Sequence, residues 1–368
     1  MKILTILLIL FSFIHLFGQT PTLIFHSGFE PATVIRSIPF LKSYYADIVG
    51  IDYSVSPPND WVNDLEKDPN IGTFNIEYQG GNNTMRLAQI TADPTNPTNN
   101  VLWFWVKYPN ASSGTKGRVQ GNLYGSSNGF TNLYYTIRLY LPHDLDTLKY
   151  GTAQVHWFTL MEFWNNPNWN GDPYPFRVSV NLQRMGYVPD SLHFGVRGEM
   201  NTDTDSEAVV WNSPDTNFSV PINTWMKIEI NYIQGDSTTG RFFMAVTPDG
   251  GSRTVVCDVT GYTYHPSNPN PDGLNYFSPF KLYTSDDVVD TLRNWGKLAN
   301  VYWDDFEIWK DSTSAVTAIN EKPFNKTVKV YPNPFNQKVV LEFSNPNNEI
   351  HTLTLIDSKV QLVRTITN

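Results

Sequence analysis

Polar side chains recur at every second position in four short segments of this sequence, "GRVQGNLYG", "AQVHW", "PFRVSVNLQ" and "FKLYTS". Because successive side chains of a β-strand point to opposite faces, each polar set is predicted to share one face of its strand. Together these faces carry guanidinium, amide, imidazole, ammonium and phenol groups and almost no carboxylate, which favours the binding of an anion. The residues are Arg118, Gln120, Asn122, Gln154, His156, Arg177, Ser179, Asn181, Gln183, Lys281, Tyr283 and Ser285.

The same alternation is also expected of the solvent-facing sides of half-buried strands. Solvated faces usually mix Lys, Glu and Thr, as "TWMKIEINYI" does with Lys227 and Glu229. The four segments above differ from that mixture because they are poor in acidic residues. Their composition therefore favours a binding face over a solvated one.

Strands must position these residues, and the chain from Leu23 to Trp309 has the pattern of an all-β domain. Short alternating runs are separated by clusters of Gly, Pro, Asn and Asp, and 14% of the 368 residues are aromatic. This pattern is typical of a sandwich or barrel rather than of βαβ units. The best helix candidate is "SDDVVDTLRNW", in which Asp286 and Asp287 suit a helix start.

The first and last segments of this region, "LIFHSGFE" and "VYWDDFEIW", resemble the first and last strands of a concanavalin-like jelly roll, which usually lie side by side. The resemblance implies an all-β fold, a jelly-roll β-sandwich of two stacked sheets, which we assign to residues 20–310. A concave sheet face lined with polar and aromatic side chains would form a groove suited to a polymer.

The order Arg-x-Gln-x-Asn, then Gln-x-His, then Lys-x-Tyr resembles the alginate-lyase-like and related jelly-roll polysaccharide lyases. The match is direct at "QVH", residues 154–156. The first motif differs from the family pattern at Gln120 and Asn122, where the family commonly has Glu and a second Arg. The last motif lacks the Gly and Gln that usually surround the tyrosine.

This resemblance implies an enzyme, a lyase that cleaves a uronic-acid polysaccharide by β-elimination. Fixed donors must neutralise the charge that develops on the sugar carboxylate, and Arg118, Asn122 and Gln154 suit that task. His156 and Tyr283 would share the roles of base and acid. The substrate contacts implied are Gln120, Asn122, Arg177, Asn181 and Lys281, with Trp164 and Trp169 from an aromatic segment.

That segment, "EFWNNPNWNGDPYPF", combines Trp164, Trp169, Tyr174 and Phe176 with Asn and Gly. As a loop it would present rings for sugar stacking and amides for hydroxyl recognition. The alternative is a loop that packs its own aromatic side chains as a lid over the sandwich.

Two other functions remain open at this point. A non-catalytic carbohydrate-binding or adhesion module on the same fold would keep the aromatic segment and need neither base nor acid. A glycoside hydrolase would need two carboxylates near the scissile bond. Glu162 is a candidate for one of them, but its own strand has no second acid two or four residues away.

No cofactor is required by this chemistry. A structural Ca²⁺ is a further hypothesis, because jelly rolls often hold calcium between their first and last strands, where Glu30 and Asp305 offer hard oxygen ligands. The alternative is that both are simple surface or turn acids. Motifs for phosphate-binding loops, paired-Cys metal sites and Gly-x-Ser-x-Gly elbows are absent from the sequence.

The ends of the chain predict export. Residues 1–19 have a Lys after the start Met, an apolar run and a small residue, as in a signal peptide, so no membrane span is expected after its removal. The net charge of -9 argues against a nucleic-acid or anionic-membrane partner. We expect a monomer whose partner is an acidic polysaccharide. Cys257 is the only cysteine, and we expect it to be buried and to pack as an apolar residue.

After a polar linker at residues 311–326, the segment "VYPNPF" and the strands that follow resemble the sorting domain of type IX secretion in Bacteroidetes. Residues 327–368 would form this domain in a truncated version, because the final strands and the basic end of such domains are missing. The resemblance implies a secreted or surface-displayed protein whose partner is the type IX machinery.

Overall fold

A computed structural model describes most of the sandwich region and four short strands beyond it. The described residues are 22–37, 45–68, 70–78, 80–124, 129–150, 155, 157–166, 168, 171–184, 186, 191–201, 207–310, 329–331, 340–342, 352–356 and 362–367. The predicted signal peptide at 1–19, the linker at 311–326 and the site candidates Gln154, His156 and Trp169 lie outside them.

The sandwich region is built almost wholly of strands. In chain order these are β1 (Thr22–Ser27), β2 (Val34–Ser37), β3 (Tyr45–Val49), β4 (Ile51–Asp52), β5 (Asn59–Asp60), β6 (Thr73–Glu77), β7 (Arg86–Ala92), β8 (Asn100–Val106), β9 (Gly117–Tyr124), β10 (Asn132–Tyr140), β11 (Phe158–Asn165), β12 (Phe176–Gln183), β13 (His193–Asn201), β14 (Glu207–Pro214), β15 (Trp225–Ile233), β16 (Arg241–Pro248), β17 (Thr254–Thr260), β18 (Tyr276–Thr284) and β19 (Ala299–Lys310). The described helical elements are a π-helical turn at Trp61–Leu65, a 3-10 helix at His143–Lys149 and the helix α1 at Asp286–Asn294.

Two large antiparallel sheets form a jelly-roll β-sandwich. The first sheet has the order β17-β16-β15-β10-β19-β8-β7, and β1 also pairs with β19. The second has the order β14-β13-β12-β11-β18-β9-β6-β3-β2. The predicted fold class and the predicted pairing of the first and last strands of this region are therefore confirmed.

The inward faces of the two sheets meet in one hydrophobic core. Its aromatic centre includes Trp61, Phe280 and Phe306, with ring centroids 4.7 Å apart for Phe280 and Phe306 and 5.9 Å for Trp61 and Phe306. Edge-to-face and offset ring contacts of this kind stabilise a core beyond the burial of their area. Cys257 is also buried as predicted, and burial raises the pKa of its thiol to about 12.

The predicted helix is present as α1. Ser285 caps its start by accepting a hydrogen bond from the backbone N–H of Val288, and Asp286 and Asp287 lie in the first turn. Carboxylates at the N-terminal end of a helix interact favourably with the helix dipole and stabilise the helix. The same cap places Ser285 beyond the end of β18, outside the strand whose face it was predicted to share.

A second compact unit spans Ala318–Asn368. Its described strands form two antiparallel pairs, β20 (Lys329–Tyr331) with β21 (Val340–Glu342) and β22 (Thr352–Ile356) with β23 (Leu362–Thr367). The sorting domain at residues 327–368 stays a prediction.

Candidate functional site

The outward face of the second sheet carries most of the polar residues singled out by sequence, and we call it the polar face. Alternation places Val119, Leu123 and Leu282 in the core, and therefore sends their neighbours outward. The strands β9, β18, β11 and β12 are adjacent, so their outward side chains form one continuous layer. Much of this layer is buried, since the predicted substrate contacts Gln120, Asn122, Asn181 and Lys281 are only 2–3% exposed. The structure brings together here Arg118, Gln120, Asn122, Trp164, Arg177, Ser179, Asn181, Lys281 and Tyr283.

Tyr283 is half-buried and surrounded by cationic side chains. It pairs in register with Arg118, whose guanidinium carbon lies 5.6 Å from the ring centroid. The ammonium groups of Lys281 and Lys116 lie 5.2 and 5.7 Å from the same centroid. Trp157 packs against the ring at 4.7 Å between centroids. A fixed phenol among three cations can hold an anionic group and exchange a proton with it.

Lys281 and Glu162 form a buried ion pair across β18 and β11, with both side chains 3% exposed. The Nζ of Lys281 donates to Oε2 of Glu162, and Nε1 of Trp164 donates to the same oxygen at 3.0 Å. Burial lowers the pKa of Lys281 to about 8 against the opposing attraction of Glu162. For Glu162 burial raises the pKa, but Lys281 and then Arg177 outweigh it, and its pKa is lowered. Both groups are therefore charged at neutral pH.

A second network surrounds Glu77 of β6, which lies beside β9. Arg118 donates to Oε1 of Glu77 at 3.2 Å, and the amide of Gln120 donates to Oε2 at 3.1 Å. The same amide nitrogen also donates to the hydroxyl oxygen of Tyr276 at 3.0 Å. Asn122 in turn donates to Asn75 at 3.3 Å. The side chains of this strand are thus held in fixed positions before any ligand arrives.

Arg177 organises the far side of the polar face. It donates to Glu199 at 2.8 Å and to Glu207 at 3.3 Å, and its guanidinium carbon lies 5.3 Å from the ring of Trp164. Burial lowers the pKa of Arg177, but the carboxylates of Glu162 and Glu199 outweigh burial, so that its pKa is raised. Nearby, Asn181 accepts from the hydroxyl of Thr159 at 2.7 Å.

The prediction that this face is almost free of carboxylates is wrong. Glu77, Glu162, Glu199 and Glu207 all contact its cations. Glu162 was named as a candidate acid, but its contact with Lys281 was not predicted. Glu77, Glu199 and Glu207 were missed because β6, β13 and β14 were not among the four segments compared. The alternation of Asn75 and Glu77 in "TFNIEYQ" is the signal that could have revealed the first of them.

The aromatic segment at residues 162–176, for which a sugar-binding loop and a lid were both open, begins and ends inside strands. Trp164 lies within β11 and is 7% exposed, while Phe176 begins β12 and is fully buried in the core. The strand alternation extends further at both ends than the Asn and Gly content suggested, which explains the difference. Of the described rings in this segment, Tyr174 is the exposed one, at 38%.

Glu30 and Asp305 lie near the junction of β1 and β19. Burial raises the pKa of Glu30, with smaller contributions from the carboxylates of Asp52 and Asp305. Arg138 approaches Asp305 to 3.9 Å. Across the residues that the structure describes, no group of three His, Cys, Asp or Glu side chains is arranged to hold a metal ion. The accumulated negative charge is compatible with a cation, and calcium at this position stays a prediction.

The fold and the polar face together define a jelly-roll protein with a preorganised polar surface. No protein-family model matches the chain, and no curated protein matches it. In the described part, no helix is long and apolar enough to cross a bilayer.

Among solved structures, the chain is similar to a marine PL-14 alginate lyase from Aplysia kurodai, with 9% identity over 78% of this chain and 99% of that one and a TM-score of 0.43. It is similar to an endo-β-1,4-glucuronan lyase from Trichoderma reesei, with 12% identity over 63% and 90% of the chains and a TM-score of 0.38. A Bacteroides ovatus mixed-linkage glucan hydrolase of family GH16 shows 11% identity over 66% and 98%, with a TM-score of 0.38. A fold shared by lyases and hydrolases does not select between them.

Proposed function

We propose that this protein cleaves a uronic-acid polysaccharide by β-elimination at Tyr283. The observation that carries the proposal is the setting of the Tyr283 phenol, which is partly exposed on the polar face with Arg118, Lys281 and Lys116 within 5.7 Å of its ring. Such a cluster attracts a carboxylate to a phenol that is suited to moving a proton.

The reaction requires two proton movements. A base removes the proton from C5 of the uronate, the electrons of the C5–H bond form the C4–C5 double bond, and the C4–O bond breaks toward the leaving oxygen. An acid then gives that oxygen a proton. In this proposal Tyr283 and His156 share the two roles, as the motif order implied, and the products are an unsaturated uronate and a new chain end.

Charge neutralisation lowers the barrier to the first step. The proton at C5 is only weakly acidic, and removing it places negative charge on the adjacent carboxylate. Arg118 is suited to pairing with that carboxylate because one of its nitrogens already bonds Glu77 and fixes the guanidinium in place. Gln154 is the amide donor proposed for the same group. Asn122 does not share this task, because it lies four residues from Arg118 along β9, about 13 Å away, and its amide donates to Asn75.

Hydrolysis through Glu162 is less consistent with the geometry. A nucleophilic carboxylate must reach the sugar, and a general acid needs a raised pKa. Glu162 is 2% exposed, bonds Lys281 and Trp164, and has a lowered pKa. Its contacts instead suit the task of holding Lys281 beside Tyr283.

The test is the release of unsaturated product from a panel of uronate polymers, followed by ultraviolet absorbance. We expect Tyr283→Phe to lower kcat by roughly a hundredfold to ten thousandfold, the usual contribution of a general acid or base. Tyr150→Phe is the matched control, since Tyr150 is 65% exposed and belongs to neither network, and it should keep full activity.

Three outcomes distinguish the candidates. If the unmodified protein and Tyr150→Phe release unsaturated product and Tyr283→Phe does not, elimination at Tyr283 is supported. Binding of the polymers without any product from the unmodified protein favours the non-catalytic module. New reducing ends that appear without absorbance favour a hydrolase.

A further inference from the structure

A pocket at one end of the polar face is chemically different from the surroundings of Tyr283. Its volume is about 250 Å³, and its lining is Tyr45, Asn75, Glu77, Asn122, Tyr124 and Tyr276. This volume is below the range of about 300–1,000 Å³ for drug-sized ligands, and therefore suits a single sugar ring. Three phenol rings with amide groups between them offer both stacking surfaces and hydroxyl partners.

The pocket is built from four neighbouring strands and its polar groups are held in place. Asn75 donates to the hydroxyl oxygen of Tyr124 at 3.1 Å and accepts from Asn122 at 3.3 Å. The rings of Tyr124 and Tyr276 lie 6.4 Å apart between centroids. Asn75 and Asn122 are 4% and 3% exposed, so their amides are already desolvated. Preorganised groups of this kind lose little entropy when a ligand binds.

The charges around the pocket are unfavourable for an anion. Among its described lining residues there is one carboxylate, Glu77, and no cationic side chain. Burial raises the pKa of Tyr124, and the carboxylates of Glu66, Asp47 and Glu77 raise it further against the hydrogen bond from Asn75. Arg118 contacts the lining through its bond to Glu77. A carboxylate of the ligand would therefore meet Glu77, and the described lining residues offer it no cationic side chain.

The pocket lies on the same face as Tyr283 but away from it. Tyr283 pairs with Arg118 at one end of β9, and Tyr276 pairs with Tyr124 at the other. At about 3.3 Å per residue, Tyr124 lies about 20 Å from Arg118 along the strand, and Asn122 lies about 13 Å from it. Glu77, which pairs with Gln120, lies between and bonds Arg118 directly. A single polysaccharide chain can therefore occupy both places.

We infer that the substrate is a heteropolysaccharide, in which a uronate is held at Tyr283 and an uncharged sugar unit of the same chain occupies the pocket around Asn75 and Tyr124. This inference rests on the proposed elimination and narrows its substrate class. A polymer that carries a carboxylate on every unit always brings like charge to Glu77, whereas a polymer that alternates uronate with an uncharged sugar has uncharged units that can occupy the pocket.

The experiment compares alginate, in which every unit is a uronate, with hyaluronan, in which glucuronate alternates with N-acetylglucosamine. We expect kcat/KM to be at least about tenfold higher on hyaluronan, because juxtaposed like charges cost more than the 1.4 kcal/mol that corresponds to tenfold. Equal values, or a preference for alginate, would overturn the inference.

A substitution in the pocket tests whether its lining determines the preference for hyaluronan over alginate. Asn75→Lys adds a cation to the lining and should shift the ratio of the two kcat/KM values toward alginate by about tenfold. Asn270→Lys adds the same cation at an exposed position outside the lining and should leave the ratio unchanged. A uniform effect on both polymers would contradict a role of the pocket in selection. If Asn75→Lys does not fold, Tyr45→Lys at the half-buried rim is the second variant.

Binding measurements test the pocket assignment independently of the proposed elimination reaction. In Tyr283→Phe, calorimetry with hyaluronan and alginate tetrasaccharides measures the pocket without turnover. If no polymer is cleaved but the hyaluronan tetrasaccharide binds more tightly and Tyr124→Ala abolishes the difference, elimination is wrong and the pocket assignment holds. If unsaturated product is released and the two tetrasaccharides bind equally, elimination holds and the pocket assignment is wrong.

Discussion

At the scale of single residues, the site depends on charges that are paired before a ligand binds. Arg118 bonds Glu77, Lys281 bonds Glu162, and Arg177 bonds Glu199. Each cation is fixed by its carboxylate, so it can meet a substrate without reorganising. The alternation in the sequence predicted the cations, but it did not predict that Glu77, Glu162 and Glu199 would contact them, because those contacts depend on strand pairing and register.

The Lys281–Glu162 pair gives the first prediction at this scale. Glu162→Gln leaves an unpaired ammonium in a buried position, and we expect it to lower the free energy of unfolding by about 3–5 kcal/mol. In Glu162→Gln/Lys281→Met that loss should be largely recovered, because no buried charge remains. Urea denaturation measures both variants.

Asp258→Asn is the control for this prediction, because it breaks the exposed pair with Arg241 and should cost at most about 1 kcal/mol. Equal losses in Glu162→Gln and Asp258→Asn would show that burial of the first pair has no energetic consequence.

The charge of Lys281 also predicts a pH dependence of binding. Burial lowers its pKa from 10.5 to about 8, so the ammonium loses its proton as the pH rises through about 8. Glu162 then keeps only the cation of Arg177, at 3.9 Å, and the polar face loses one positive charge near the substrate carboxylate. The affinity of Tyr283→Phe for a uronate tetrasaccharide should therefore fall between pH 7 and 9.

The comparison for this effect is Tyr283→Phe/Lys281→Arg, because a guanidinium does not titrate in this range. Its affinity should be flat over the same pH interval. A parallel fall in both proteins would assign the titration to another group.

At the scale of elements, neighbouring strands determine which side chains can meet. The sequence predicted most strands of the sandwich, the pairing of β1 with β19, the helix α1 and the outward direction of the polar sets. It could not predict the irregular register of β11 with β18, which shifts between Thr159 and Glu162. That shift decides that Glu162 lies opposite Ser278 and within reach of Lys281, and it depends on strands more than a hundred residues apart.

Gly121 of β9 tests the core behind the site. A Cβ at this position would lie 2.9 Å from Phe280 and 3.1 Å from Phe74. We expect Gly121→Ala to cost about 1–3 kcal/mol of stability because neither buried ring can move freely. Gly186→Ala, where a Cβ would meet nothing within 4 Å, is the matched control in chemical denaturation and should change stability little. A stabilised Gly121→Ala would contradict the packing described for this strand.

At the scale of the whole molecule, a sandwich unit and a smaller β unit share one acidic chain. The net charge of -9 does not repel an acidic polysaccharide from the site itself, because three cations surround Tyr283. We propose that residues 1–19 direct export and that residues 327–368 direct sorting, so that the sandwich acts on a polymer outside the cell.

Elimination and hydrolysis of a glycosidic linkage differ in the fate of water, because only hydrolysis adds a water oxygen to the product. The unmodified protein is incubated with uronate polymers in heavy-oxygen water, and the products are analysed by mass spectrometry. We predict products with an unsaturated end and no heavy oxygen. Saturated products that carry one heavy oxygen each would contradict the account, because they require hydrolysis.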